Sequence, residues 1–170
     1  GRAAAEPAPF EPPGPEELAR HWPTFRGAEG SGVAPAGDRP LEWNGETGEN
    51  VLFKTRIPLP GANSPVVWGD RVFLTGATRD REEVYCIDAG SGAMLWRKGL
   101  VAAGRREEPP EPMEDTGYAA PTAATDGRYV FVIFASGRTA AFDFEGNQAW
   151  FRSFGPLDNI YGHSSSLAYF

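Results

Sequence analysis

The sequence predicts an all-β protein built from repeated antiparallel sheets. Three observations carry that prediction. Glycine (21) and proline (16) make up more than a fifth of the 170 residues, a composition rich in turns and poor in long helices. Short runs of β-branched and aromatic residues, such as "RVFLTG" and "RYVFVIFA", are bounded by Gly, Asp and Asn, as strands are. One pattern then occurs twice, from Ser64 to Leu100 and from Ala120 to Gly155.

Taken along the chain, the first 20 residues are rich in Pro, Ala and Glu and predict a disordered acidic leader. Residues 42–59 resemble the last part of a repeat unit, with Phe53 where the whole units have Trp. The first whole unit, 64–100, opens on Pro65, passes Asp70 and Arg71, enters "RVFLTG", and closes through "CIDAGSGAMLW". Residues 101–118 are charged and Pro-rich and predict a surface loop. The second unit, 120–155, opens on Pro121, passes Asp126-Gly127-Arg128, and closes through "AAFDFEGNQAW". Residues 162–170 resemble the start of a third. The paired prolines stand 56 residues apart and the paired tryptophans, Trp96 and Trp150, 54 apart. Without the loop the period falls near the ~40–50 residues of a propeller blade. A four-stranded sheet cannot bury both faces alone, so such units stack radially. The prediction is therefore a partial β-propeller over 21–170. The ring is expected to be incomplete: either a fragment of a longer protein, or a chain that needs other blades or another copy to close it.

Bulk properties exclude several classes. The net charge is −7 and the pI about 4.9, and no basic run is present, so a phosphate-reading nucleic-acid binder is not expected. No apolar stretch approaches the ~18 residues of a membrane span. Cys86 is the only cysteine and lies in an apolar run, where a small buried hydrophobe is expected. The only histidines are His21 and His163, so no zinc-type spacing exists. His163 adjoins Ser164, Ser165 and Ser166, but successive strand residues point to opposite faces, which makes no triad.

The closing motifs resemble the tryptophan-docking repeat of quinoprotein-like propellers, roughly Ala-x-Asp-x-x-x-Gly-x-x-x-Trp. Cys86 stands at the Ala position, and Asp88, Gly92 and Trp96 fit. Asp143, Gly146 and Trp150 fit again, with a turn one residue shorter. The "WPTFRG" and "GSGV" segments near the N-terminus are similar to the start of bacterial PQQ-binding-like β-propeller repeat proteins. The resemblance implies that the Asp and Gly shape turns and that each Trp stacks on the neighbouring blade. It also implies export to the periplasm.

Fold resemblance does not decide function. Redox members of the family hold calcium through acidic and amide side chains and keep a catalytic aspartate near the PQQ. The densest acidic cluster here, Glu107, Glu108, Glu111, Glu114 and Asp115, lies in the Pro-rich loop and reads as a solvated run. No phosphate loop is present. The reading is a non-catalytic exported propeller that scaffolds or binds a protein or glycan partner, with no cofactor in this chain and no catalytic residue assigned. The alternative is the N-terminal part of a PQQ- and calcium-dependent dehydrogenase whose catalytic residues lie in other blades. A sensor domain attached to a kinase or membrane anchor is a third reading. Trp22, Phe25 and Arg26 are candidates for partner binding, although sealing a sheet edge is the expected use of this strip.

Overall fold

The structure, a computed structural model, describes residues 10–34, 37, 40–101 and 111–169. Two four-stranded sheets dominate it. The first consists of β1 (Val66–Trp68), β2 (Arg71–Ala77), β3 (Glu82–Asp88) and β4 (Met94–Gly99). The second consists of β5 (Ala124–Thr125), β6 (Tyr129–Ile133), β7 (Arg138–Asp143) and β8 (Gln148–Ser153). In each, strands pair antiparallel in sequence order, the meander of a propeller blade. The all-β reading holds, with one short helix, α1 (Pro15–Leu18), outside the sheets.

The two sheets share one register. Across the first, Val66, Phe73, Cys86 and Trp96 stand opposite one another. Across the second, the same places are held by Ala124, Phe131, Ala141 and Trp150. A register shift falls at the same point in both, between Cys86 and Ile87 and between Ala141 and Phe142. Residues directly opposite share a face, so each row is a stripe across one side of its sheet. The Val66–Trp96 stripe packs on Val130, Val132, Ala140 and Phe142 of the second sheet, and this junction is the buried core. The sheets approach most closely at β1 and β5, which is therefore the inner end of the wedge.

The turn chemistry is as the motif requires. Asp88 Oδ1 accepts the Ser91 N–H at 2.8 Å and its hydroxyl at 2.6 Å. Asp143 Oδ1 accepts the N–H groups of Glu145 (3.1 Å) and Asn147 (2.7 Å). Gly92 and Gly146 follow with φ of 73° and 84°, a conformation glycine adopts without steric cost.

Other segments differ from the sequence reading. Of the leader, residues 10–20 contain α1, with Pro15 at its first turn, as suits a residue without an N–H; residues 1–9 lie outside the described residues. Residues 42–59 contain no ladder-paired strand. Residues 42–50 instead form a loop around Asn44, whose Oδ1 accepts the N–H groups of Glu46 and Thr47, and 51–59 run extended along the first sheet. Of the 101–118 loop, residues 102–110 lie outside the described residues, and Met113–Gly117 form a turn. Residues 162–169 make no strand; Leu167 donates its N–H to Thr122 O at 3.1 Å.

Candidate functional site

The repeat motif builds a socket. The Trp96 ring leaves β4 and lies on the next sheet's turn, where a Cβ on Gly146 would meet Trp96 Cδ2 at 2.9 Å. Its Nε1–H donates to Phe144 O at 2.8 Å, so the ring's only polar atom is satisfied as it leaves water. Phe73 and Phe142 flank it at ring-centre distances of 6.0 and 6.2 Å. The same socket in the first sheet is filled from 51–59. A Cβ on Gly92 would run into the Phe53 ring, and the Thr55 hydroxyl donates to Gly92 O at 2.6 Å. Phe53 thus takes the place of Trp, although its segment is not a strand. Trp150, third in the series, is 39% exposed. It rests on Phe131 (6.2 Å) beside a groove of about 320 Å³ that Arg152 and Phe154 also line.

Charged groups inside the structure are spent on packing. Glu82 is buried between the sheets, where it accepts the Ser136 hydroxyl at 2.5 Å and Arg138 Nη1 at 2.6 Å. Glu83, on the opposite face of β3, accepts both Arg97 Nε (2.7 Å) and Nη2 (2.6 Å) and the Tyr85 hydroxyl (2.7 Å). Burial alone would push the Glu83 carboxyl up, but these hydrogen bonds outweigh it and hold it below the usual range. Burial, reinforced by the Glu83 carboxylate, pushes the Tyr85 phenol up. Cys86 is a free thiol, fully buried, and burial pushes it up to about 12, far from a reactive thiolate. His163 contacts Gly155 O at 3.0 Å and Ser166 Oγ accepts the Thr122 N–H, so neither faces the other as a base and nucleophile would.

The alternative reading places the residues that hold PQQ and calcium in other blades, so the acids of this portion bear on it only locally. Calcium takes six to eight oxygen ligands, yet among the described residues no three His, Cys, Asp or Glu side chains gather to hold a metal. Glu107 and Glu108 lie outside the described residues.

The N-terminal strip is used internally. Trp22 pairs with Val67 of β1, and Arg26 Nη2 donates to Ser31 O at 3.1 Å. Phe25 alone of the three turns a ring outward, at 48% exposure. The strip covers the inner edge of β1.

Three highly exposed large apolar side chains lie around one loop elsewhere. Leu41 (98%), Trp43 (73%) and Leu52 (89%) are open to solvent. They flank the Asn44 loop, which Asn50 Nδ2 closes by donating to Glu42 O at 2.8 Å, and Leu52 with Pro40, Asn50 and Val51 lines a groove of about 390 Å³. Sequence reasoning missed this ledge because 42–59, which holds Trp43 and Leu52, was read as the last part of a repeat unit. The available signal was "NGETGEN", a loop-forming run too polar for a strand.

Comparison with known proteins places these features. Residues 27–159 match the model of a PQQ-type repeat family described as outer membrane protein assembly factor BamB. The structure is similar to that of BamB from Moraxella catarrhalis, at 20% identity and a TM-score of 0.44, over 66% of this chain and 30% of that one. It is also similar to a europium-containing methanol dehydrogenase, at 18% identity and a TM-score of 0.41, over 59% of this chain and 17% of that one. The chain thus spans under a third of the length of either. No curated protein is matched significantly.

Proposed function

We infer a binding role from one premise: this chain belongs to the PQQ-like β-propeller family described as outer membrane protein assembly factor BamB. Its role is that of a non-catalytic, exported propeller portion, working in the periplasm as a scaffold for a protein partner. The observation that carries this reading is a division of labour among side chains. The buried acids are committed to internal bonds, Glu82 with Arg138, Glu83 with Arg97 and Asp126 with the N–H groups of Arg128 and Tyr129, while Leu41, Trp43 and Leu52 stand in water. Exposed apolar side chains on the two arms of one loop suit an interaction surface, and aromatic rings are favoured anchors there. A protein partner suits this ledge better than a glycan, because two of its three members are aliphatic and offer a sugar neither a hydrogen bond nor a flat face. Among the described residues no helix is long and apolar enough to cross a membrane.

The test is site-specific photocrosslinking in the cells that make the protein. A benzophenone amino acid at Trp43 is expected to give a discrete protein adduct, and one at Glu145, exposed on the β7–β8 turn, none. Adducts confined to carbohydrate would replace the protein partner with a glycan. Dye-linked alcohol oxidation that requires PQQ and calcium would replace the scaffold with the dehydrogenase.

A further inference from the structure

Residues 21–23 lie across the inner ends of both sheets. Trp22 exchanges two backbone hydrogen bonds with Val67 of β1, its N–H reaching Val67 O at 2.9 Å and its carbonyl accepting the Val67 N–H at 2.8 Å. The next carbonyl turns the other way, and Pro23 O accepts the Thr125 N–H of β5 at 2.9 Å. One extended segment therefore bonds the first strand of one sheet and the first strand of the next.

Its side chains are received as well as its backbone. The His21 ring stacks on Trp68 at 4.2 Å between ring centres, and His21 Nδ1 accepts the Gly69 N–H at 3.2 Å. Trp68 also lies on the β5–β6 turn, where a Cβ on Gly127 would run into its ring. Pro23 is fully buried. The N–H and carbonyl of one residue point to the same side of an extended strand, and proline has no N–H to return to Thr125, so this crossing is made by one backbone bond and the buried Pro23 ring. Beyond it the chain turns away: Arg26 and Gly27 have φ of 64° and 82°, and Thr24 Oγ1 donates to Gly27 O at 2.7 Å.

We propose that the inner edges of β1 and β5, with the Trp68 ring, form a binding site for an extended aromatic–proline peptide, and that residues 21–23 are its resident ligand. Strand addition of this kind takes affinity from backbone bonds and specificity from side-chain pockets. Blades surround a central channel, and the inner edges face it. The resident segment therefore holds this part of the axis closed, and a peptide with the same features is the ligand able to displace it.

The test uses the full chain and a fluorescent peptide with the sequence of residues 19–27, ARHWPTFRG. Trp22→Pro removes the N–H that reaches Val67 and should free the resident segment. That variant is expected to bind the peptide at least about tenfold more tightly than the wild type, and a peptide carrying Ala for Pro23 should bind it more weakly. His21→Ala, which removes only the ring stack and the Gly69 bond, should give a smaller gain. It decides the question if Trp22→Pro loses its sheet signal by circular dichroism. A folded variant that takes up no peptide would overturn the proposal. So would a wild type that binds as tightly as the variants.

Discussion

Trp96 and Trp150 occupy the same position in the same motif on sheets of the same register, yet only one is in a socket. Trp96 is held by Gly146, by the Phe144 carbonyl and by two phenylalanine rings. Trp150 has Phe131 and a groove. A blade's register is thus local, whereas the energy of its motif belongs to the junction with the next sheet. Repeat proteins divide their stability in this way, into intrinsic terms and neighbour terms.

The largest test of that division is Trp96→Ala. Removing a docked ring leaves a cavity and an unpaired Phe144 carbonyl, and should cost about 4 kcal/mol in urea unfolding. That is a large share of the roughly 5–15 kcal/mol of a folded domain. Trp150→Ala should cost about 1 kcal/mol, because its ring already meets water. Equal losses would mean that the socket adds nothing to the ring's own burial.

The two glutamates of β3 make the same comparison with charge. Glu82 faces the junction and Glu83 faces away from it. Glu82→Ala strands Arg138, whose side chain is only 13% exposed, and should cost about 3 kcal/mol. Glu83→Ala strands Arg97, which reaches solvent and rehydrates, and unpairs the buried Tyr85 hydroxyl, and should cost about 2 kcal/mol. The double variant Glu82→Gln with Arg138→Met should recover much of the first loss, since the pair would be replaced by neutral groups. No recovery would show that the carboxylate holds the sheets by more than its partner.

How much of this was legible depended on whether the signal was local. The sheets were legible because period-2 apolar runs and Asp–Gly turns are local. The identity of residue 88 or 92 follows from the turn it must make. The Trp96 socket was legible only through resemblance, since nothing within "MLWRKG" says which glycine receives the ring. Glu82 with Ser136 and Arg138 was missed, because 54 residues separate Glu82 from Ser136. A weak signal existed: Glu82, Val84 and Cys86 share one face of β3, so a charge there had to find a partner across the junction. The strip at 21–26 was read as an edge seal, and covering an edge is what it does. Which edge it covers was not readable, because the bonds of Trp22 to Val67 and of Thr125 to Pro23 span distant segments. Residues 42–59 misled for a physical reason as well. Phe53 fills its socket from an extended segment, so the docking position persists where the ladder does not.

The smallest effect separates the two turns themselves. At Asp88 the Ser91 hydroxyl and N–H groups hold the carboxyl below its ordinary range. At Asp143 burial pushes up, and the bonds from the Asn147 side chain and the turn N–H groups pull further down. A carboxylate with a depressed folded pKa adds stability above its unfolded pKa of about 4, and that contribution is lost as pH falls through the folded value. The urea midpoint should therefore drop between about pH 5 and pH 3, and the Asp88→Asn, Asp143→Asn double variant should show a shallower drop. The single variants should then rank the turns. Asp143 anchors the loop on which Trp96 sits, so Asp143→Asn should also shift Trp96 fluorescence, whereas Asp88→Asn, under Phe53, should leave it unchanged. A shift from Asp88→Asn alone would mean that the two turns are not independent and that the sheets exchange strain across the core.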